Sequence, residues 1–395
     1  MQRWVAVVIV HAVLVQLVTY AFRPALSYAL LDVQSPAALL GLISATFALP
    51  ALFLALPSGR LVQRFGERHT GLLGGVLFTG ASLTAVLGRH SIQLLFLATL
   101  LLGCGHLFSM ISEQTVVANR AQVSRRDSAF GLYTLGASLG QAAGPLLLAL
   151  PGEGSGGPPV DSILWICVAL SVALTGVSAT LPRTMHDSSP QLGMLHSAMA
   201  ILREPGAIRA LAASGIALAS VDVTLIYWPA LGEQTGLSPA VVSLMLVVRS
   251  LSTMASRAVL GAAVRLVGRR LLMVCTLIIS AFAVALIALP LAPPALVVLA
   301  GVFGFFVGIC QPITMSWIVD LAPPGGRGMT MSLRLAGNRV AQSAIPGAVG
   351  AIAGVTGVAG VLFAVAGSLA MAAWAASAIG KGRTDSERAI GAQPE

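Results

Sequence analysis

Long apolar runs alternate with short polar connections from one end of the chain to the other. They lie near residues 4–31, 36–58, 70–88, 91–117, 129–150, 160–181, 208–231, 238–262, 271–291, 295–319, 329–351 and 355–379. A helix rises about 1.5 Å per residue, so a run of about twenty crosses the roughly 30 Å hydrocarbon layer of a bilayer. Lipid offers the backbone no hydrogen-bond partner, so each run is predicted to be a helix that satisfies its own amides. The pattern predicts an all-α membrane protein with twelve transmembrane helices.

The polar connections set the orientation. Those on one side hold Arg60, Arg64, Arg68, Arg120, Arg125, Arg126, Arg183, Arg203, Arg209, Arg265, Arg269, Arg270 and Arg327. Those on the other hold Glu153, Asp161 and Glu233 and few basic residues. The basic side is expected to be cytoplasmic, with both termini there, in a bacterial inner or plasma membrane. The N-terminal run, Arg3 and then apolar sequence through Tyr20 and beyond, reads as a retained first span rather than a cleaved signal peptide. The longest connection without a span, 182–207, reads as a linker, with Gln191–Arg203 a candidate interfacial helix. The expected organisation is an N-terminal six-helix bundle (1–182), a cytoplasmic linker (183–206), a C-terminal six-helix bundle (207–380) and a cytoplasmic tail (381–395).

The bundles repeat. Ser35-Pro36-Ala37 opens span 2 and Ser238-Pro239-Ala240 opens span 8, 203 positions later. Gly59, Gly66 and Arg68 reappear as Gly261, Gly268 and Arg270, offset by 202. Arg126, Leu132, Gly136, Gln141 and Pro145 reappear as Arg327, Leu333, Gly337, Gln342 and Pro346, offset by 201. Landmarks in order at nearly one offset imply two parallel repeats, an arrangement that puts a substrate site near the bilayer midplane between them.

Composition excludes the soluble alternatives. Hydrophobic residues make up 56% and charged residues only 9%, with mean hydropathy +0.90. A soluble domain carries about 25% charged residues, so this chain cannot cover a water-facing surface. The net charge of +9 is almost all arginine, spread over short loops rather than gathered on one face, which argues against nucleic acid as a partner. Cys104, Cys167, Cys275 and Cys310 all fall in apolar runs without ligand spacing, and no metal or cofactor is expected.

Two local patterns stand out. After span 2 comes Gly59-Arg60-Leu61-Val62-Gln63-Arg64-Phe65-Gly66-Glu67-Arg68-His69, with a second copy from Gly261 to Arg270. Span 5 carries Gly131, Gly136, Gly140 and Gly144 followed by Pro145. Such glycines would cost a soluble helix about 1 kcal/mol each but let membrane helices approach closely. This organisation resembles the major facilitator superfamily over essentially the whole chain. The loop is similar to that family's cytoplasmic signature, with Gln63 in the place of an aspartate and Glu67 in the place of a basic residue. Span 5 is similar to the signature of the drug:proton antiporter branch, with Leu148 and Ala149 where that signature ends in a glycine pair. A third signature, in span 4, keeps Gly103 and Gly105 but has Thr99 in place of an arginine that the resemblance links to proton handling.

The resemblance implies alternating access through a cavity partly lined by span 1, and a monomer. The loop residues Gly59, Arg64, Gly66, Arg68, Gly268, Arg269 and Arg270 read either as a topology signal or as an inner-gate latch between the bundles. Gly131, Gly136, Gly140, Gly144, Pro145 and the echoed Pro346 read as a packing hinge where the bundles slide or seal.

Six basic residues fall outside the cytoplasmic connections: Arg23, Arg89, Arg249, Arg257, Arg334 and Arg339. Arg89 sits in a short outer loop and is expected to snorkel. The others lie within spans, at about 2.5–3.5 kcal/mol each near a helix centre, and such residues usually face a bundle interior or a wet cavity. Arg23, with Tyr20 one turn away, reads either as cavity lining or as a snorkelling residue beside an interface aromatic. Asp222, near the middle of span 7, is expected to pair with Arg249 of span 8, as a structural ion pair or as a protonation switch. Glu113 in span 4 is the second candidate proton-coupling carboxylate, or a helix-end residue paired with Arg120 or Arg257. Arg334, Asn338 and Gln342 recur every four residues and form one polar stripe on span 11, flanked by Arg339. His106 reads as a packed or cavity polar residue.

No Walker-type loop is present and no cytoplasmic segment is large enough to hydrolyse ATP. The chain therefore reads as a secondary active transporter that works with a small-molecule substrate, protons and the lipid bilayer, not as an enzyme. Arginines outnumber carboxylates inside the spans, and a guanidinium fork suits carboxylate or phosphate. The expected substrate is a small anionic or zwitterionic organic molecule, bound by Tyr20, Arg23, Arg249, Arg334, Asn338, Arg339 and Gln342. Proton-coupled export is the leading reading; the alternatives are a proton-coupled importer of an organic anion and a non-transporting membrane sensor.

Overall fold

The computed structural model describes residues 3–121, 126–151, 158–182, 202–203, 206–320 and 327–378. These residues build ten α-helices: α1 Arg3–Asp32, α2 Ala37–Leu87, α3 Ile92–Arg120, α4 Arg126–Ala143, α5 Val160–Ser178, α6 Ala207–Thr235, α7 Pro239–Val267, α8 Arg269–Ile287, α9 Pro293–Asp320 and α10 Arg327–Ser377. A 3-10 turn, Gly144–Ala149, extends α4. Among the described residues nine helices are long and apolar enough to cross a membrane, and Ala38–Leu54 adds a shorter one. The chain is a multi-pass membrane protein. The expected linker at 183–206 and the tail from 381 lie almost wholly outside the described residues, as does the candidate helix Gln191–Arg203 except at its last two positions.

Ten helices hold the twelve predicted spans because α2 and α10 each contain two, joined at a glycine. Gly66 breaks α2 with φ 80° and ψ 166°, and Gly357 breaks α10 with φ 69° and ψ −171°. Gly268, the repeat partner of Gly66, separates α7 from α8 with φ 79° and ψ 149°. L side chains avoid this region, so the two copies of the loop motif make their reversal with the same residue in the same conformation. Gly59, by contrast, lies inside the helical part of α2.

The N-terminal helices pack chiefly among themselves, as do the C-terminal ones: α1 on α4 and α5, the two limbs of α2 on α3 and α5, α6 on α10, and α9 on α7 and α8. The two sets meet where α2 lies on α10, α1 on α6, and α4 with its 3-10 turn on α7. Large apolar side chains such as Phe53, Phe282, Val355 and Trp374 point outward, as suits a surface solvated by lipid tails. One end of the bundle is basic, with Arg64, Arg68, Arg209, Arg265 and Arg270; the other is acidic, with Asp32, Asp161 and Glu233.

The glycines of span 5 do something other than seal the two sets. A Cβ on Gly136 would press on Ile9; on Gly140 it would overlap Val13 O and crowd Gln16; on Gly144 it would lie 2.7 Å from Leu17 O. This glycine face, Gly136, Gly140 and Gly144, therefore docks on α1 within the N-terminal set, while the surroundings of Gly131 lie outside what the structure describes. Pro145 is where the segment reaches the other set: its carbonyl accepts a 2.6 Å hydrogen bond from Ser243 Oγ of α7. The close approach between sets lies at Gly41 of α2, where a Cβ would overlap Pro346 O and Gly350 Cα of α10. That crossing lies toward the acidic end.

Candidate functional site

A buried polar chain crosses the middle of the molecule. Arg23 of α1 donates from Nη1 to Asp222 Oδ1 of α6 at 2.5 Å, and from Nη2 to Ser44 Oγ of α2 at 3.2 Å. Its guanidinium also lies over the Phe47 ring, 4.4 Å from the centroid. Gln342 of α10 donates from Nε2 to Asp222 Oδ2 at 2.5 Å, and Arg339 donates to Gln342 Oε1 at 3.0 Å. Four helices from both sets thus converge on one buried network around a single carboxylate. Arg23 is 2% exposed, so it does not snorkel.

This corrects the expected pairing of Asp222 with Arg249. Asp222 turns toward α1 and α10. Arg249 instead donates to the Val221 carbonyl and to Thr224 Oγ1, both at 3.1 Å, and sits 5.7 Å from the Tyr20 ring centroid. The Val221 and Thr224 groups are one turn apart on α6, which lets Arg249 tie α7 to α6 without a counter-ion.

The predicted stripe on α10 is divided between two sites. Gln342 belongs to the Asp222 chain. Arg334, eight residues earlier and so about 12 Å along the axis, donates to the carbonyl and to Oε1 of Gln311 of α9, at 3.2 and 3.1 Å. Among the described residues Arg334 Nε, Asn338 Oδ1 and Gln311 Nε2 are buried without a partner. Buried polar atoms rarely go unpaired, so unspent donors and an acceptor on neighbouring helix turns mark a place where a polar solute or water completes the set. Arg257 of α7 reaches Ser138 Oγ of α4 at 3.0 Å. Among the described residues no carboxylate lies within ion-pair distance of Arg249, Arg257, Arg334 or Arg339.

Glu113 is likewise differently partnered from expectation. Neither Arg120 nor Arg257 reaches it; its Oε1 lies 2.6 Å from His11 Nδ1 of α1. Above this pair Gln16 contacts His106 at 3.3 Å, and Gln141 donates to Gln16 Oε1 at 3.3 Å. At the acidic end Arg89 does not snorkel but is clamped between Asp32, at 2.8 Å, and Asp161.

With this geometry in hand, comparison with known proteins supplies the family. The model of the Major Facilitator Superfamily matches twice, over residues 8–220 and 210–394. The chain belongs to the Major Facilitator Superfamily. An uncharacterized MFS-type transporter of Bacillus subtilis strain 168, YdeG, is 33% identical over 144 residues, covering 35% of this chain and 33% of that protein. The chain thus spans about a third of the length of that curated relative. The nucleoside transporter NupG superposes with a TM-score of 0.78 at 16% identity, covering 96% of this chain and 100% of that one. A POT family transporter in complex with 5-aminolevulinic acid gives 0.75 at 14%, covering 95% of each chain. The human organic anion transporter MFSD10 gives 0.63 at 16%, covering 95% of this chain and 99% of that one. At these identities the likeness establishes the fold, and the family and these neighbours are transporters, not enzymes.

In this superfamily member two of the loop-motif arginines, Arg68 and Arg270, bond within their own set. Arg68 donates to the Leu181 carbonyl at 3.0 Å, and Arg270 donates to the Ser377 carbonyl. Each closes a helix end of its own bundle, and among the contacts described neither latches one set to the other; Arg64 lies over the neighbouring Phe65 ring, and Arg269 starts α8. Residues that the sequence reading passed over are Ser44, Phe47, His11, Gln16 and Gln311. One signal pointed toward Gln16: Gln141 and Gln342 are repeat partners, and each hydrogen-bonds the first helix of its own set, α1 and α6.

Proposed function

We propose that the chain is a secondary active transporter that moves a small organic anion or zwitterion by alternating access. The observation that carries this reading is the imbalance of buried charge. Asp222 is neutralised by Arg23, which leaves Arg249, Arg257, Arg334 and Arg339 at the interface of the two sets without carboxylate partners among the described residues. A guanidinium keeps its charge even when buried, and a solute carboxylate supplies the missing partner bidentately. The unpaired atoms of Arg334, Asn338 and Gln311 give the second anchor a polar or zwitterionic solute needs.

The cycle follows from the contacts. Arg23–Asp222 near the middle and the Gly41–Gly350 crossing toward the acidic end hold the two sets together. A solute anion competes with Asp222 for Arg23 and so loosens that closure. On the positive-inside reading the acidic end faces outward and both termini inward, which makes the closed end the outer gate. The six-helix bundles, 1–182 and 207–380, are the moving bodies. Proton-coupled export is supported by the span 5 glycine pattern, through its likeness to the drug:proton antiporter branch.

The test is solute counterflow in proteoliposomes with a panel of radiolabelled probes: citrate, 5-aminolevulinic acid, uridine and choline. Exchange of citrate or 5-aminolevulinic acid, reduced at least tenfold by Arg334→Ala and by Arg339→Ala, is the expected result. Exchange of choline or uridine but of neither charged acid overturns the anion reading.

A further inference from the structure

A second buried titratable cluster lies apart from the substrate arginines, wholly inside the N-terminal set. His11 of α1 and Glu113 of α3 are side-chain buried to 0% and 1% exposure, with Nδ1 and Oε1 2.6 Å apart. His11 Nε2 lies 2.8 Å from Ser178 Oγ of α5. Ser178 already donates its own hydroxyl proton to the Leu174 carbonyl at 2.8 Å. Its oxygen can therefore only accept, which places a proton on His11 Nε2. The short Nδ1–Oε1 contact must then hold a second proton, since an imidazole lone pair facing a carboxylate would repel it. Among the described residues Glu113 Oε2 has no partner within hydrogen-bond distance, and the one further side chain that interacts with the carboxylate is Tyr133 of α4.

We infer that the His11–Glu113 pair is the proton-binding site of the transport cycle. This deepens the transporter reading and rests on it. The shared proton gives the pair zero net charge, whether it sits on oxygen as a carboxylic acid or on nitrogen as an imidazolium facing a carboxylate. The pair can stay buried in that form while the helices move. Release breaks one O–H or N–H bond, delivers the proton to water, and leaves a carboxylate beside a neutral imidazole. That form carries a charge and needs hydration, so it forms only when the pair is opened to one aqueous phase. Asp222, the other membrane carboxylate in the middle of the bundle, is a poorer carrier: Arg23 and Gln342 already occupy both of its oxygens. Among the described residues, the helices packed around the pair also carry Tyr133 on α4, His106 and Arg120 on α3, and Arg64, Glu67, Arg68 and His69 on α2, and Arg339 of α10 reaches Met110 of α3, one turn from Glu113, at 4.0 Å. None of them is within ion-pair distance of Glu113 in the described contacts. The two sites share α1, which carries both His11 and Arg23.

The first test needs no transport substrate. Infrared pH titration of the purified full-length protein, with isotope-labelled histidine, should show a step in which carboxyl and imidazole bands change together. Glu113→Gln should remove the carboxyl part and move the imidazole midpoint; His11→Gln, which keeps a donor toward Ser178, should move the carboxyl midpoint. Midpoints that stay fixed when the partner is replaced overturn the pair as a unit. The second test is uptake of 5-aminolevulinic acid or citrate into proteoliposomes with and without a one-unit pH gradient. One coupled proton supports about tenfold accumulation, and the ratio of uptake with and without the gradient should fall to one in both variants. A gradient response retained in Glu113→Gln overturns the assignment. If the wild-type protein moves neither probe, the substrate reading fails while the titration still judges the pair.

Discussion

Asp222→Asn tests whether the central ion pair holds the two sets together. Two unit charges 2.5 Å apart interact by about 6–7 kcal/mol at an effective dielectric of about 20, before desolvation is subtracted. Removing one partner of a buried pair costs about 3–5 kcal/mol, because the other is left charged and unpaired. Here Arg23 keeps Ser44 Oγ and the face of Phe47, so the lower end, about 3 kcal/mol, is expected. Asparagine also offers one acceptor where the carboxylate offers two, so either Arg23 or Gln342 loses its bond. If the contact exists only when the acidic end is closed, about 3 kcal/mol moves the open-to-closed ratio by about a hundredfold. The assay is a spin-label distance measurement between exposed Gln93, in the N-terminal set, and exposed Gln234, in the C-terminal set, both near the acidic end, in a background without the native cysteines. Asp222→Asn should add a longer-distance population, and the Arg23→Gln, Asp222→Asn double variant should add less than the two singles together. A distance distribution identical to wild type in Asp222→Asn refutes the latch.

Other consequences can be checked with the same material. Gly41→Val drives a side chain into Pro346 O and Gly350 Cα, so the spin-label distances should lengthen as in Asp222→Asn, with Arg23–Asp222 chemically intact. Gly66→Ala and Gly268→Ala place a Cβ at φ near 80° and should each lower unfolding stability by about 1–3 kcal/mol. Arg89→Ala breaks two ion pairs that are partly exposed, so it should cost less than about 1 kcal/mol and lose even that at high salt.

The spans and the repeat were legible because they rest on short-range rules. An apolar run long enough to cross lipid must be helical, and only glycine makes the reversal found at both Gly66 and Gly268. The partners of the buried charges were not legible, and α6 shows why. From Ala217 to Gly232 nearly every residue of that helix is buried. A helix enclosed on all sides has no polar face, so periodicity cannot say which neighbour Asp222 confronts. Adjacency in sequence suggested α7; packing chose α1 and α10. Glu113 was misassigned for the same reason. Its partner is 102 positions away on α1, and His11 lies five residues before Gln16, the start of that helix's polar stripe Gln16, Tyr20, Arg23 and Ser27.

Duplication explains how one scaffold can hold both a neutral pair and an excess of cations. Gln141 and Gln342 descend from the same position, and each still bonds the first helix of its set. In the N-terminal copy the bond ends on Gln16, beside His106, and the titratable groups nearby, His11 and Glu113, satisfy each other. In the C-terminal copy it ends on Asp222, which reaches out of its own set to Arg23. Both networks therefore terminate on α1. His11 and Arg23 are twelve residues apart on that helix, about 18 Å along the axis, and Pro24 beside Arg23 removes one backbone hydrogen bond, that to the Tyr20 carbonyl. On the proposed cycle, the part of α1 docked backbone to backbone on the span 5 glycines moves with them, so a shift that hydrates His11 is expected to displace Arg23 from Asp222 as well. On that cycle the glycine face of span 5 would act from within one set, by holding α1 between the proposed proton site and Asp222.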